Sequence, residues 1–172
     1  MNTYPDNQPE DLICKCGRHL PCRHCEETIL AFDLGTKTGW ASVSSGSILS
    51  GMTDMKKEAK RRGFGCMFRA YQCWLLDTFL LHKPDIVRYE DVKRHMGTRA
   101  AHVYGAWKAI LEIECDKHGV KLEGYGVGTI KKSATGNGRA SKEEMIDAAS
   151  KLVSHSITDD NEADAICIAT LK

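Results

Sequence analysis

Three groups of acidic side chains, far apart in the 172-residue chain, carry the oxygen chemistry that holds a hard cation. The first is Asp33, at the end of the apolar run Ile29–Leu30–Ala31–Phe32 and directly before Leu34–Gly35–Thr36–Lys37–Thr38–Gly39. A carboxylate in an apolar strand costs on the order of several kcal/mol unless it is compensated, and a cation bound at the strand end compensates it. A turn Asp satisfied by local backbone N–H groups is the alternative. The second is Glu90, which closes the β-rich run Ile86–Val87–Arg88–Tyr89 after Pro84 and Asp85. Ligands of open α/β sheets gather at such C-terminal strand ends, although a lone Glu there serves equally well as a solvated loop residue. The third is Asp159–Asp160–Asn161–Glu162–Ala163–Asp164, which opens an alanine-rich helix. Asp160 and Asp164 at i, i+4, and Asn161 and Asp164 at i, i+3, share one helical face and can turn two oxygens toward one point. Complementing the helix dipole accounts for Asp159 and Asp160 but not for Asp164, which lies inside the helix among apolar neighbours.

Cations accompany the acids. Lys131, Lys132 and Arg139 flank a turn containing Gly136 and Gly138, which reads as a mobile positive loop able to close on phosphates. Ser141 and Glu144 have capping-box spacing for a helix that begins at Lys142. Lys93, Arg94 and Arg99 follow Glu90, and Lys56, Lys57, Lys60, Arg61 and Arg62 precede a helix from Phe64 to Leu81. That last run reads equally as a solvated turn or a backbone-binding patch. The formal net charge of +1 excludes a diffuse polycation, so any nucleic-acid binding must come from local patches.

The first 27 residues stand apart from the rest. Met1 to Glu10 is polar and carries two prolines, the composition of a disordered start. Cys14, Cys16, Cys22 and Cys25 then crowd a twelve-residue span in a C-x-C and C-x-x-C pattern. Four thiolates at that density suit a tetrahedral Zn²⁺, with His19 and His24 as substitutes, and free thiols are the next alternative. Disulfides are least favoured, since no signal peptide precedes the cysteines, and a cytoplasmic location is the expectation. Cys66, Cys73, Cys115 and Cys167 lie among apolar residues and read as core.

The remainder, 28–172, is expected to be one α/β domain. Hydrophobic content of 42% supports a core, and no apolar run approaches membrane-spanning length. The pattern predicts strands over 29–34, 39–44 and 47–53, a helix over 56–82, a strand over 85–90 and a helix over 99–118. A strand over 121–125 and helices over 141–153 and 161–171 follow. Gly35 and Gly39 are expected to bend the first hairpin, and Gly46 and Gly51 to support the turns. In the helix over 99–118, Val103, Trp107, Ile110, Leu111 and Glu114 form a stripe suited to the core or a dimer face.

The acids, the strand order and the segment Val127–Gly128–Thr129–Ile130–Lys131–Lys132–Ser133–Ala134–Thr135–Gly136–Asn137–Gly138–Arg139–Ala140–Ser141–Lys142 together resemble the RuvC family of Holliday junction resolvases. The likeness runs from about residue 28 to 172. It implies a ribonuclease H-like mixed sheet flanked by helices, with the Cys-rich extension added in front. It also implies a metal-dependent endonuclease that hydrolyses phosphodiester bonds in Holliday junctions or other branched DNA, acting as a homodimer. Asp33, Glu90 and Asp164 would bind two Mg²⁺ or Mn²⁺ ions. Lys131 and Lys142 fall on lysines the family uses near the scissile DNA, and Lys93, Arg94, Arg99, Lys132 and Arg139 would contact DNA. The family's fourth ligand falls on Asn161, with Glu162 or Asp160 as substitutes. An aromatic wedge of bacterial relatives is replaced here by Lys93, which leaves room for flaps and forks as substrates. A non-cleaving branched-DNA binder with a damaged metal site is the alternative function. An actin-like ATP-binding domain, which shares the opening Asp33–Leu34–Gly35–Thr36 turn, is a more remote one.

Overall fold

The apolar run before Asp33 forms the central strand of the sheet. In the computed structural model, which describes residues 27–93 and 97–171, β1 (Ile29–Asp33) pairs antiparallel with β2 (Lys37–Ser44), and β2 pairs antiparallel with β3 (Ser47–Asp54). On its other side β1 runs parallel to β4 (Ile86–Glu90), and β4 runs parallel to β5 (Lys121–Tyr125). The order is β3-β2-β1-β4-β5. Parallel neighbours need long crossovers. These are α1 (Lys56–Arg62) with α2 (Phe64–His82), and then α3 (Thr98–His118). The chain closes with α4 (Val127–Thr135), α5 (Lys142–Ser150) and α6 (Asp160–Ala169). Cys14, Cys16, Cys22, Cys25 and Arg94 lie outside the described residues.

The two sheet faces are packed with different materials. Leu30, Phe32, Val87 and Tyr89 point into a core of long side chains from α2 and α3, including Met67, Tyr71, Leu75, Trp107 and Leu111. Tyr71 stacks on Trp107 with ring centroids 4.4 Å apart. The opposite face presents Ala31 and Ala41 to α6, whose Ala163, Ala165 and Ile166 are fully buried. Small residues on both sides let α6 lie almost on the strands. A Cβ built on Gly39 would stand 1.8 Å from the Asn161 carbonyl oxygen.

Several expectations change. The helix over 56–82 is two helices, because Gly63 between them has φ 79° and ψ −176°, a backbone conformation that only glycine adopts readily. Residues Lys131 to Thr135 are the C-terminal half of α4, not a loop, and only the turn after Gly136 remains irregular. Gly39 lies within β2 and Gly51 within β3 instead of in turns; Gly51 makes space for the Trp40 indole, 3.1 Å from where its Cβ would be. Gly46, at φ 75°, does occupy the β2–β3 turn. Cys115 and Cys167 are buried as expected, whereas Cys66 is half-buried and Cys73 exposed. The Ser141 and Glu144 capping box is formed. Val103, Trp107 and Leu111 of the α3 stripe are core.

Candidate active site

Strand alternation decides where the first two acids point. Since Leu30 and Phe32 enter the aromatic core, Ala31 and Asp33 must face α6. On β4 the same rule sends Val87 and Tyr89 to the aromatic side and Arg88 and Glu90 to the α6 side. Arg88 confirms it by donating to the carbonyls of Ala169 at 3.1 Å and Leu171 at 3.0 Å, at the C-terminal end of α6. The parallel register sets Phe32 opposite Tyr89, so Asp33 and Glu90 come next, side by side at the C-terminal sheet edge. The N-terminal turn of α6 brings the third group over that edge. Asp159 caps this helix by accepting from the backbone N–H of Asn161 at 3.0 Å and of Glu162 at 3.4 Å.

The charges behave as one set. Burial pushes the Asp33 carboxyl up to about 8, and Asp164, Glu90, Asp160 and Asp159 push it the same way. Burial and Asp160 raise Asp164 to about 6, while Lys131 and Lys142 oppose the rise. Glu90 is raised by burial and by Asp164, again against Lys131. Asp160 alone is lowered, because Lys142 pairs with it. Lys131 is anchored beside the set, its Nζ donating to the Ala140 carbonyl at 2.5 Å. Among the described residues, however, no three His, Cys, Asp or Glu side chains converge closely enough to hold a metal ion as they stand. The donor set still fits a hard divalent cation, since it consists of carboxylate oxygens short of positive charge.

The residues around the fourth position differ in their commitments. Glu162 accepts from Ser50 Oγ at 2.7 Å and bonds His155 Nε2 at 3.1 Å, toward β3. The Asn161 amide donates to Asp159 at 2.8 Å and to Asp160 at 3.3 Å. Asp160 is the one of the three whose charge reaches both Asp33 and Asp164. Of the remaining basic residues, Lys93 pairs with Asp91, and Lys132 and Arg139 are exposed beside the turn after α4. Arg99 lies over the Phe64 ring, 5.0 Å from its centroid.

Sequence reasoning missed the residues that hold the sheet edge in shape. Thr38 Oγ1 donates to the Gly35 carbonyl at 2.7 Å and accepts from Trp107 Nε1 at 3.2 Å, which ties the turn after Asp33 to α3. Tyr104 donates its hydroxyl to the Glu90 carbonyl at 2.8 Å and accepts from the Val92 N–H at 3.0 Å. A Thr three residues after a turn glycine, and aromatics on a buried helix stripe, were the available signals. Their partners, 69 residues apart for Trp107 and Thr38, are set by topology alone.

The five-stranded mixed sheet, flanked by helices, has the ribonuclease H-like arrangement, with carboxylates at the C-terminal edge of its central strands. Comparison with known proteins narrows this. No family model matches the chain. It is 29% identical over 120 residues to the crossover junction endodeoxyribonuclease RuvC of Nitratidesulfovibrio vulgaris strain Hildenborough, covering 69% of this chain and 72% of that one. The structure of T. thermophilus RuvC in complex with a Holliday junction substrate superposes with a TM-score of 0.70 at 19% identity, over 84% of this chain and 91% of that one. The yeast mitochondrial Holliday junction resolvase Ydc2 gives a TM-score of 0.56 at 15% identity, over 82% and 75%. The chain is therefore RuvC-like in fold and in sequence.

Proposed function

We propose that the chain is a structure-selective DNA endonuclease that cuts Holliday junctions or closely related branched DNA, using two divalent ions, Mg²⁺ or Mn²⁺. The observation that carries this reading is the mutual charging of Asp33, Glu90, Asp164 and Asp160, four carboxylates from three elements at one sheet edge. Divalent cations held there supply Lewis acidity and an activated water for in-line displacement at a phosphodiester. Asp33, Glu90 and Asp164 would hold the ions. Asp160 fits the fourth position better than Asn161 or Glu162, because its carboxylate already bears on Asp33 and Asp164. Lys131 and Lys142 orient the scissile phosphate, placing positive charge beside the carboxylates where a DNA strand would bring negative charge. Two copies are needed to cut two symmetric strands, so the working form is a homodimer.

Incubating the protein with synthetic four-way junctions, forks, flaps and linear duplexes, each with Mg²⁺, Mn²⁺ or chelator, tests the whole reading. Cleavage confined to branched substrates, requiring a divalent ion and lost in Asp33→Asn, is the expected result. Asn161 in place of an acidic or histidine ligand favours one rival, a branched-DNA binder that does not cut. Retained junction binding with no nicking under either ion would establish that rival instead.

A further inference from the structure

The turn that follows Asp33 also forms the wall of a hollow which the chemistry above does not use. Its volume is about 360 Å³, and Thr36, Lys56, Lys60, Phe64, Arg99 and Val103 line it. A second hollow, sharing Thr36, Arg99 and Val103, adjoins it along Leu34 and Gly35. The two together make a groove leading from the β1–β2 turn to the start of α2. The hollow is basic on one side. Lys56, Lys60 and Arg99 are exposed and form no ion pair among the described residues. No carboxylate lines the hollow.

Its aromatic side is built with equal specificity. The left-handed Gly63 breaks the helical run and makes Phe64 the first residue of α2, 40% exposed. Phe64 stacks on Phe68 with centroids 5.9 Å apart and planes at 20°, and Phe68 in turn abuts Trp107 in the core. The Arg99 guanidinium lies over the Phe64 ring, 5.0 Å from its centroid. Unpaired cations beside a supported aromatic–guanidinium stack are the features that bind an unstacked nucleotide: the plane receives a base and the charges receive its phosphate.

We propose that this hollow takes one nucleotide of the DNA substrate, unpaired where the strands branch, with its base laid on the Arg99–Phe64 stack and its phosphate between Lys56 and Lys60. This rests on the branched-DNA reading given above and adds how the branch is sensed. Because Thr36 belongs to both the hollow and the turn after Asp33, a nucleotide seated there would lie close to the strand presented to the carboxylates.

The test uses the full chain in chelator, so that DNA is bound but not cut, and compares affinity for a four-way junction with affinity for a linear duplex of the same length. Phe64→Ala and Arg99→Gln are each expected to weaken junction binding about tenfold with little change on duplex, while Phe64→Trp retains it. Lys60→Gln, at an exposed position that leaves folding intact, should reduce the slope of log affinity against log salt by about 0.9 on the junction. A 5-iododeoxyuridine at the branch should photocrosslink to the peptide containing Phe64. Unchanged junction-to-duplex ratios in Phe64→Ala and Arg99→Gln, or crosslinks only elsewhere, would overturn the proposal and leave the nuclease reading standing. Wild-type protein that neither binds nor cuts branched DNA would remove both.

Discussion

Glu123 and Asp33 lie on the same face of one sheet and meet opposite fates. Glu123, on β5, accepts from Lys121 at 2.7 Å, from Arg88 at 3.1 Å and from the Tyr125 hydroxyl at 2.8 Å. Lys121 first, then Tyr125 and Arg88, hold its carboxyl down at about 2. Asp33, two strands away, is buried among other acids and is driven up to about 8. The fold thus supplies cations to one acid from its own sequence and leaves the strand-end group short of them. A structural acid is completed by the chain; on the proposed function, this group is completed by the divalent ions that the chain binds.

Replacing each acid by its amide separates the two most sharply. Asp33→Asn should reduce cleavage by at least about 10³-fold, on the order of 4 kcal/mol in the barrier, because it removes the central anionic ligand. It should also raise the melting temperature by several degrees, since an unfavourable buried charge disappears. Glu123→Gln should do the reverse, lowering the melting temperature and leaving cleavage within a few-fold. Single-turnover cleavage and thermal melts of both variants check this, and a lower melting temperature for Asp33→Asn would break the comparison.

The close approach of α6 is the next lever. Gly39→Ala places a methyl against backbone, 1.8 Å from the Asn161 carbonyl oxygen, where no rotamer can relieve it. A loss of about 3 kcal/mol in denaturant unfolding is expected, together with a fall in cleavage as the first turn of α6 lifts from the sheet edge. Gly51→Ala meets only the Trp40 indole and should cost less.

Acidity tells the two regions apart by sign. Glu123 has a folded pKa below its unfolded one, so its contribution is present above about 4.5 and is lost as pH falls toward about 2. Asp33 and Asp164 have folded pKa values above their unfolded ones, so the folded state holds their protons more tightly. Stability should therefore drop as pH rises from about 4 through about 6 and on to about 8. In chelator, urea unfolding should show greatest stability near pH 4 to 5, with a decline of several kcal/mol by pH 8. Saturating Mg²⁺ or Mn²⁺ should flatten that decline and leave the acid limb unchanged. A flat chelator profile between pH 4 and 8 would show that the strand-end acids repel one another too weakly to need a cation.

Much of this was legible in the chain. Apolar alternation located β1 and β4, and the acids that end them followed from where the apolar runs stop. The Ser141–Glu144 spacing found the start of α5 because a capping box is a local device. What escaped was non-local or masked by composition. The segment Val127–Thr135 has glycine, serine and β-branched residues, poor helix formers in sum, and becomes α4 because Ile130 packs against Ala140, Met145 and the rest of the α6-side core. Gly39 looked like a turn glycine because nothing near it in sequence announces Asn161, more than a hundred residues away. Glu123 drew no attention since Arg88, on the neighbouring strand, meets it only after β4 and β5 pair.

The finest test concerns α6 itself, where Asp160 and Glu162 stand two residues apart and face different neighbours. Asp160 is paired with Lys142 and bears on Asp33, whereas Glu162 is held by Ser50 and His155 over β3. If Asp160 belongs to the ion-holding group, Asp160→Asn should reduce cleavage about tenfold, roughly 1.4 kcal/mol, and raise the divalent concentration needed for half-maximal rate. Glu162→Gln should leave both quantities unchanged, because its carboxylate completes a local contact between β3 and α6. The two outcomes exchanged would mean that the first turn of α6 rotates when ions bind, turning Glu162 inward and Asp160 out toward Lys142. Titrating Mn²⁺ against cleavage rate for the two variants side by side distinguishes these arrangements, since only the residue that meets the ions shifts the midpoint.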